Sequence, residues 1–165
     1  RPNRPQGPGA PPSGSEVTLS SSDDLRRWQP DGPVFAGRPR YWDELVGAGP
    51  PPLETREGWL LLYHGVATHF QSVNIYQVGA VLLDREDPRR VLARTAANIL
   101  EPRPLYELTG QVPNVVFPGG MTCDRFEADG GAPPEARLCV YYGAADTAVC
   151  VATTTVAAVL DACRG

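Results

Sequence analysis

Three side chains able to hydrogen-bond or move a proton stand where apolar runs break: Tyr63 and His64 at the end of WLLLYH, and Asp146 after the small-residue run Gly143-Ala144-Ala145. A phenol next to an imidazole supplies donors and acceptors side by side. The imidazole could also titrate near neutrality, although no switching is required of it. Small residues ahead of Asp146 would let a ligand approach the backbone there. Each has a plainer alternative. Tyr63 could be a core tyrosine, His64 a capped histidine, and Asp146 a turn residue, the commonest use of aspartate after a strand. His69, in the loop Val66–Asn74, reads as solvated. The four cysteines, Cys123, Cys139, Cys150 and Cys163, show no CxxC spacing, so no metal site is expected. Three of them sit inside or beside apolar runs, which suggests buried free thiols in a reducing, cytoplasmic compartment.

The elements that must position these groups repeat. GWLLLYHG at 58–65 and RLCVYYG at 137–143 both end in two rings and a glycine, and each leads through a loop to a second apolar run, IYQVGAVLLD at 75–84 and AVCVATTTV at 148–156. Strands that emerge into glycine-broken loops, repeated several dozen residues apart, are the pattern of a β-propeller or a related repeat fold. Function is expected where those loops converge. Upstream of the first copy, Val46 to Thr55 contains Pro50, Pro51 and Pro52, which cannot donate ladder hydrogen bonds. It fits an inner strand facing a channel, or else a rigid linker. With Val91 onward as an outer edge, this makes a four-element unit. The next unit runs from Val112 and lacks only its outer strand, ending in a helix over Thr155–Cys163. Before both, EVTLSSS from Glu16 reads as a strand, SDDLRRW as a turn carrying Trp28, and GPVF at 32–35 as an edge strand. Residues 1–15, rich in Pro and Gly, read as a disordered tail or insertion, and 16–165 as part of a single domain. The fold class expected is all-β, a partial propeller of about two and a half blades.

Composition narrows the function classes. Net charge is −4 and all fifteen basic residues are arginines, without the clustered positive charge of a nucleic-acid surface. The apolar runs are too short to span a bilayer as helices, so no membrane partner is expected. Arginine without lysine, beside abundant Ala, Pro and Gly, is a compositional pointer to a GC-rich bacterial source. The chain starts at Arg1 and its one methionine is Met121, which reads as a fragment of a longer protein.

Five collinear motifs carry a resemblance: GAGPPPLETREGWLLLYHGV (47–66), YQVGAVLLDREDP (76–88), ILEP (99–102), VPNVVFP (112–118) and VYYGAADT (140–147). In this order and spacing they resemble the C-terminal half of glycoside hydrolase family 130, the β-mannoside phosphorylases and related mannosidases, from about Val17 to the end of the chain. The resemblance implies a five-bladed propeller whose funnel holds a mannosyl unit. Cleavage is with inversion, by inorganic phosphate in the phosphorylases and by water in the hydrolases. It implies a β-mannoside or manno-oligosaccharide partner, inorganic phosphate as co-substrate, no cofactor, and a homo-oligomer. An inverting reaction needs an acid for the leaving oxygen and a nucleophile on the opposite face. In this family the acid is an aspartate of the N-terminal half, so no catalytic residue is expected here and the chain alone should be inactive.

The residues carried over as substrate-binding are Tyr63, His64, Asn114, Phe117 and Asp146, contacting sugar hydroxyls, phosphate or a sugar face. One departure bears on the co-substrate. Where the phosphorylases commonly carry a basic residue just before the inner-strand Val/Ile-Gly, this chain has Leu45, preceded by Glu44. Leucine cannot bind phosphate, and Arg38 or Arg40 could substitute only if their loop folds back. A hydrolase therefore stays open, as does a non-catalytic carbohydrate-binding propeller.

Overall fold

The computed structural model of the chain describes residues 14–68, 74–128 and 130–165; His69 and residues 1–13 of the expected tail lie outside them. The last two residues of that tail belong to the fold, since the Gly14 carbonyl accepts from Val46 N and the Ser15 carbonyl from Gly37 N.

Among the described residues ten strands form three antiparallel sheets, accompanied by two short helices. β1 (Glu16–Ser21) and β2 (Gln29–Ala36) make a hairpin sheet. The middle sheet runs β3 (Leu45–Ala48), β5 (Gly58–Ala67), β6 (Ile75–Leu83), β7 (Val91–Arg94), and β4 (Leu53–Thr55) also pairs with β5. The helix α1 (Leu105–Leu108) precedes the last sheet, β8 (Val116–Cys123), β9 (Arg137–Ala144) and β10 (Ala148–Thr155), which ends in α2 (Val156–Arg164). The expected four-element unit is this middle sheet, and the second unit is the last sheet without a fourth strand.

The expected inner strand over 46–55 is two strands, β3 and β4, both on β5. Three prolines between them offer no N–H to the ladder, so pairing lapses and resumes. Outer pairing is also shorter than the apolar pattern from Val91 suggests. The strand ends at Arg94, one further backbone bond joins Thr95 N to the Ala80 carbonyl, and Ile99 and Leu100 return to bond Val78. The inner strand of the last sheet begins at Val116 and not at Val112, because Asn114 has φ +59° and turns the chain. The helix α1 had no counterpart in the apolar pattern. The final helix forms as expected, with the Thr155 hydroxyl capping Ala158 N.

GWLLLYHG is a continuous apolar run because β5 is buried on both faces. Leu60 and Leu62, with Val78, Ala80 and Leu82, pack against Val116, Leu138, Val140 and the apolar side of α2. On the opposite face Leu61, Tyr63, Val81 and Leu83 pack under Val17 and Phe35 of the hairpin sheet. Leu60 and Leu62 are both fully buried, so truncating either to alanine costs about 2–5 kcal/mol. The edge strand β10 has one covered face, hence its strict alternation of half-buried and exposed residues.

Candidate carbohydrate site

The period of two along β5 sends Tyr63 and His64 to opposite faces of the middle sheet. His64 shares its face with Gly47 of β3 and Val78 of β6, its direct cross-strand partners. That face opens, beyond the core, into a cavity of about 460 Å³ between the middle sheet and the start of β8. Leu45, Val66 and Tyr76 line it from the middle sheet together with His64, and Phe117 closes it from β8. The rings cluster. His64 and Phe117 lie 4.4 Å apart between centroids, and His64 and Tyr76 6.0 Å. Among the described residues lining this cavity no side chain is a carboxylate or an arginine. Its chemistry is that of an aromatic and aliphatic wall with one imidazole, suited to the C–H face of a sugar ring and to one or two hydroxyl contacts.

Tyr63 is not part of that wall. It is fully buried on the other face, and its ring lies across Gly79, where a Cβ would come within 2.7 Å of the phenol oxygen. Its hydroxyl donates to Asp43 Oδ2 at 2.8 Å and accepts from Arg94 Nε at 3.1 Å. The expectation that Tyr63 and His64 form one contact pair is thus corrected: adjacent residues of a strand face opposite ways, and here only one face meets the cavity. Burial pushes the Tyr63 hydroxyl up to about 12, with the Arg94 hydrogen bond acting against it. The phenol is neutral at ordinary pH.

Asp43 is the polar residue that sequence reasoning missed. Its carboxylate is wholly buried and receives Arg38 Nε at 2.8 Å and Arg94 Nη2 at 2.6 Å in addition to Tyr63. Arg38 also donates to the carbonyls of Thr95 and Ala96, and Trp42 Nε1 donates to the latter. This network pins the segment before β3 to β5 and β7. It also settles the position of Arg38, whose guanidinium is occupied here and does not line the cavity beside Leu45. Arg40 is exposed and likewise absent from the lining. Tyr76 was missed as well, though its signal was legible. Tyr76, Val78, Ala80 and Leu82 alternate along one face, and the register of β6 on β5 makes that the face of His64.

Neither Asn114 nor Asp146 lines the cavity. The Asn114 carbonyl accepts from Tyr76 N at 3.0 Å, and its positive φ is a conformation asparagine tolerates well. Asp146 is exposed in the β9–β10 turn, where Ala145 and Asp146 have φ of +46° and +54°. Two successive positive φ values are the pattern of a tight hairpin turn. Because Ala145 N bonds the Val115 carbonyl and Val115 bridges Tyr76, this turn lies at the same end of the sheets as the cavity.

Comparisons with known proteins agree with this architecture. A β-1,4-mannooligosaccharide phosphorylase of Ruminococcus albus is 41% identical over 162 residues, covering 96% of this chain and 44% of its own. A 1,2-β-oligomannan phosphorylase of Thermoanaerobacter sp. is 41% identical over 138 residues, or 83% of this chain and 42% of the relative. The chain therefore spans less than half the length of these curated relatives. Among solved structures, the β-1,2-mannobiose phosphorylase of Listeria innocua in complex with β-1,2-mannobiose superimposes with a TM-score of 0.76 at 38% identity, over 90% of this chain and 38% of that one. The fold is accordingly propeller-like and mostly β. Residues 13–165 match the family model described as β-1,4-mannooligosaccharide phosphorylase, and the chain belongs to glycoside hydrolase family 130.

Proposed function

We propose that this chain forms part of a β-mannoside phosphorylase, in which inorganic phosphate displaces the leaving sugar with inversion to release mannose 1-phosphate. The observation that carries this reading is the agreement with relatives named as mannoside phosphorylases along nearly the whole chain. In this reading the strands complete a five-bladed ring with the rest of the polypeptide, and the cavity beside His64 is one wall of its funnel. His64 hydrogen-bonds a sugar hydroxyl or phosphate, and Phe117 supplies an apolar contact. Asn114 and the Asp146 carboxylate, from the turn at the same end, meet sugar hydroxyls. The acid that protonates the leaving oxygen comes from outside residues 1–165, so these residues alone do not turn over substrate.

Leu45 favours a second reading, a hydrolase of the same family. It lines the cavity next to His64 and offers no charge to an anion. One experiment separates the readings. The full-length protein is incubated with β-1,4- and β-1,2-linked mannobiose, with and without inorganic phosphate. Mannose 1-phosphate formed only with phosphate supports the phosphorylase. Free mannose formed regardless of phosphate supports the hydrolase, and no turnover with measurable mannoside binding leaves a carbohydrate-binding propeller. Within an active enzyme, His64→Ala and Asp146→Ala each lower kcat/KM at least about tenfold; wild-type values from both would remove the site assignment.

A further inference from the structure

Gly47 sits in the middle of β3, a place where glycine weakens a strand and is kept only when something approaches closely. Its φ is not among the positive values of the described residues, so φ does not require a glycine here. The space would not. A Cβ built on Gly47 would lie 2.3 Å from Cε1 and 2.5 Å from Nε2 of His64, well inside van der Waals contact. The imidazole therefore lies across the strand on the bare backbone of its cross-strand partner. Phe117 holds it from the other sheet, with its ring at 4.4 Å and tilted by 33°.

We propose that Gly47 is a positioning residue: the missing side chain is the seat that fixes the His64 imidazole at the cavity wall, between the β3 backbone and the Phe117 ring. The inference rests on the reading of His64 as a substrate contact. Gly47 differs from the other crowded glycines in what its neighbour faces: at Gly65 and Gly79 a Cβ would meet the Trp42 or Tyr63 side chains, which do not line the cavity, whereas His64 does. A Cβ at Gly37 would meet the Glu44 carbonyl at 2.0 Å, and one at Gly58 the Leu83 carbonyl at 2.2 Å. Those are backbone atoms, and a methyl there displaces a strand. At Gly47 the obstructed atoms belong to a side chain beside an open cavity. A methyl group at this position displaces the ring and leaves the strand in place, so it acts on the reaction through His64 alone.

That property makes a double-mutant cycle decisive. In the full-length protein, kcat/KM for a manno-oligosaccharide and the thermal midpoint are measured for wild type, Gly47→Ala, His64→Ala and the double variant. Gly47→Ala is expected to lower kcat/KM about tenfold or more with the midpoint shifted by no more than a few degrees. In the His64→Ala background the same change is expected to alter kcat/KM less than about twofold, since no ring remains to be displaced. Equal losses in both backgrounds overturn the proposal, as does wild-type activity of Gly47→Ala when His64→Ala is impaired. Wild-type activity of His64→Ala overturns the reading of the site and the proposal with it. If Gly47→Ala does not fold, the double variant still decides. Removal of the ring gives the methyl room, so the double variant should melt with His64→Ala, and its failure to fold would place the cost in the strand and overturn the seat.

Discussion

The hydroxyl of Tyr63 donates to Oδ2 of Asp43 at 2.8 Å, tying the centre of β5 to the segment that leads into β3. Through this bond Tyr63 serves the scaffold while its neighbour His64 faces the cavity. Tyr63→Phe removes this bond and the one accepted from Arg94; it should therefore cost about 1.5–3 kcal/mol of stability and leave kcat/KM of the full-length protein unchanged. Urea unfolding and steady-state kinetics check the two halves. A large kinetic loss without a stability loss would return Tyr63 to the substrate site.

Asp43→Ala is the harsher change. It leaves Arg38 and Arg94 without the carboxylate both contact, and Arg94 keeps only 15% of its side chain exposed. Breaking a buried ion pair in this way costs about 3–5 kcal/mol. Loss of soluble expression or a fall of that size in unfolding free energy is expected, and a near-neutral effect would mean that solvent replaces the carboxylate easily.

Alkaline pH should destabilise the fold through its buried phenols. Burial pushes the Tyr63 hydroxyl up to about 12 from its ordinary value of 10.0, and burial with the Glu107 hydrogen bond pushes Tyr142 upward too. A raised folded-state value means that the fold favours the neutral phenol. Its stabilising contribution is complete below pH 10 and is lost as pH rises through about 12. Unfolding free energy should fall over that window, and Tyr63→Phe should flatten the fall in part, as followed by denaturant titration at successive pH values.

Leu45→Lys tests the cavity's preference for an anion. Leu45 and His64 line the same cavity from neighbouring strands, so an ammonium there adds a phosphate partner without disturbing the core. The KM for phosphate should drop about threefold or more, about 0.7 kcal/mol. An unchanged KM with an intact fold would show that phosphate binds elsewhere.

Cys163 should be the last thiol to react. It is 4% exposed in α2, and burial pushes its thiol up to about 11, so little thiolate exists at pH 8. Mass-spectrometric mapping after brief alkylation of the native protein should find Cys163 unmodified, with modification only in denaturant. Labelling at the rate of the half-buried Cys139 would show that α2 opens readily.

Local pattern was enough for most of the elements, though not for α1 or for the break between β3 and β4. The period-two and apolar runs announced the strands of the middle and last sheets, Pro50 to Pro52 announced the inner edge, and TVAAVLDAC announced the terminal helix. Such signals are legible because each lies within a few residues of chain. The collinear motifs likewise sufficed for the family. The same period could have separated Tyr63 from His64, since neighbours on a strand face opposite sheets, but the shared motif drew them together as one pair.

Only the tertiary structure decided which of the two neighbours, Tyr63 or His64, meets the cavity. The Tyr63 ring itself is covered by Phe35 and Trp42, whereas His64 lines a cavity that Phe117 bounds from β8. The partners of Asp43 come from positions 38, 63 and 94, and the seat of His64 from position 47. By itself the sequence determined the strands and the face-to-face alternation along them. Which side chains those faces bring together depends on the packing of separate sheets, and that packing is a sum of long-range contacts with no local period to betray it.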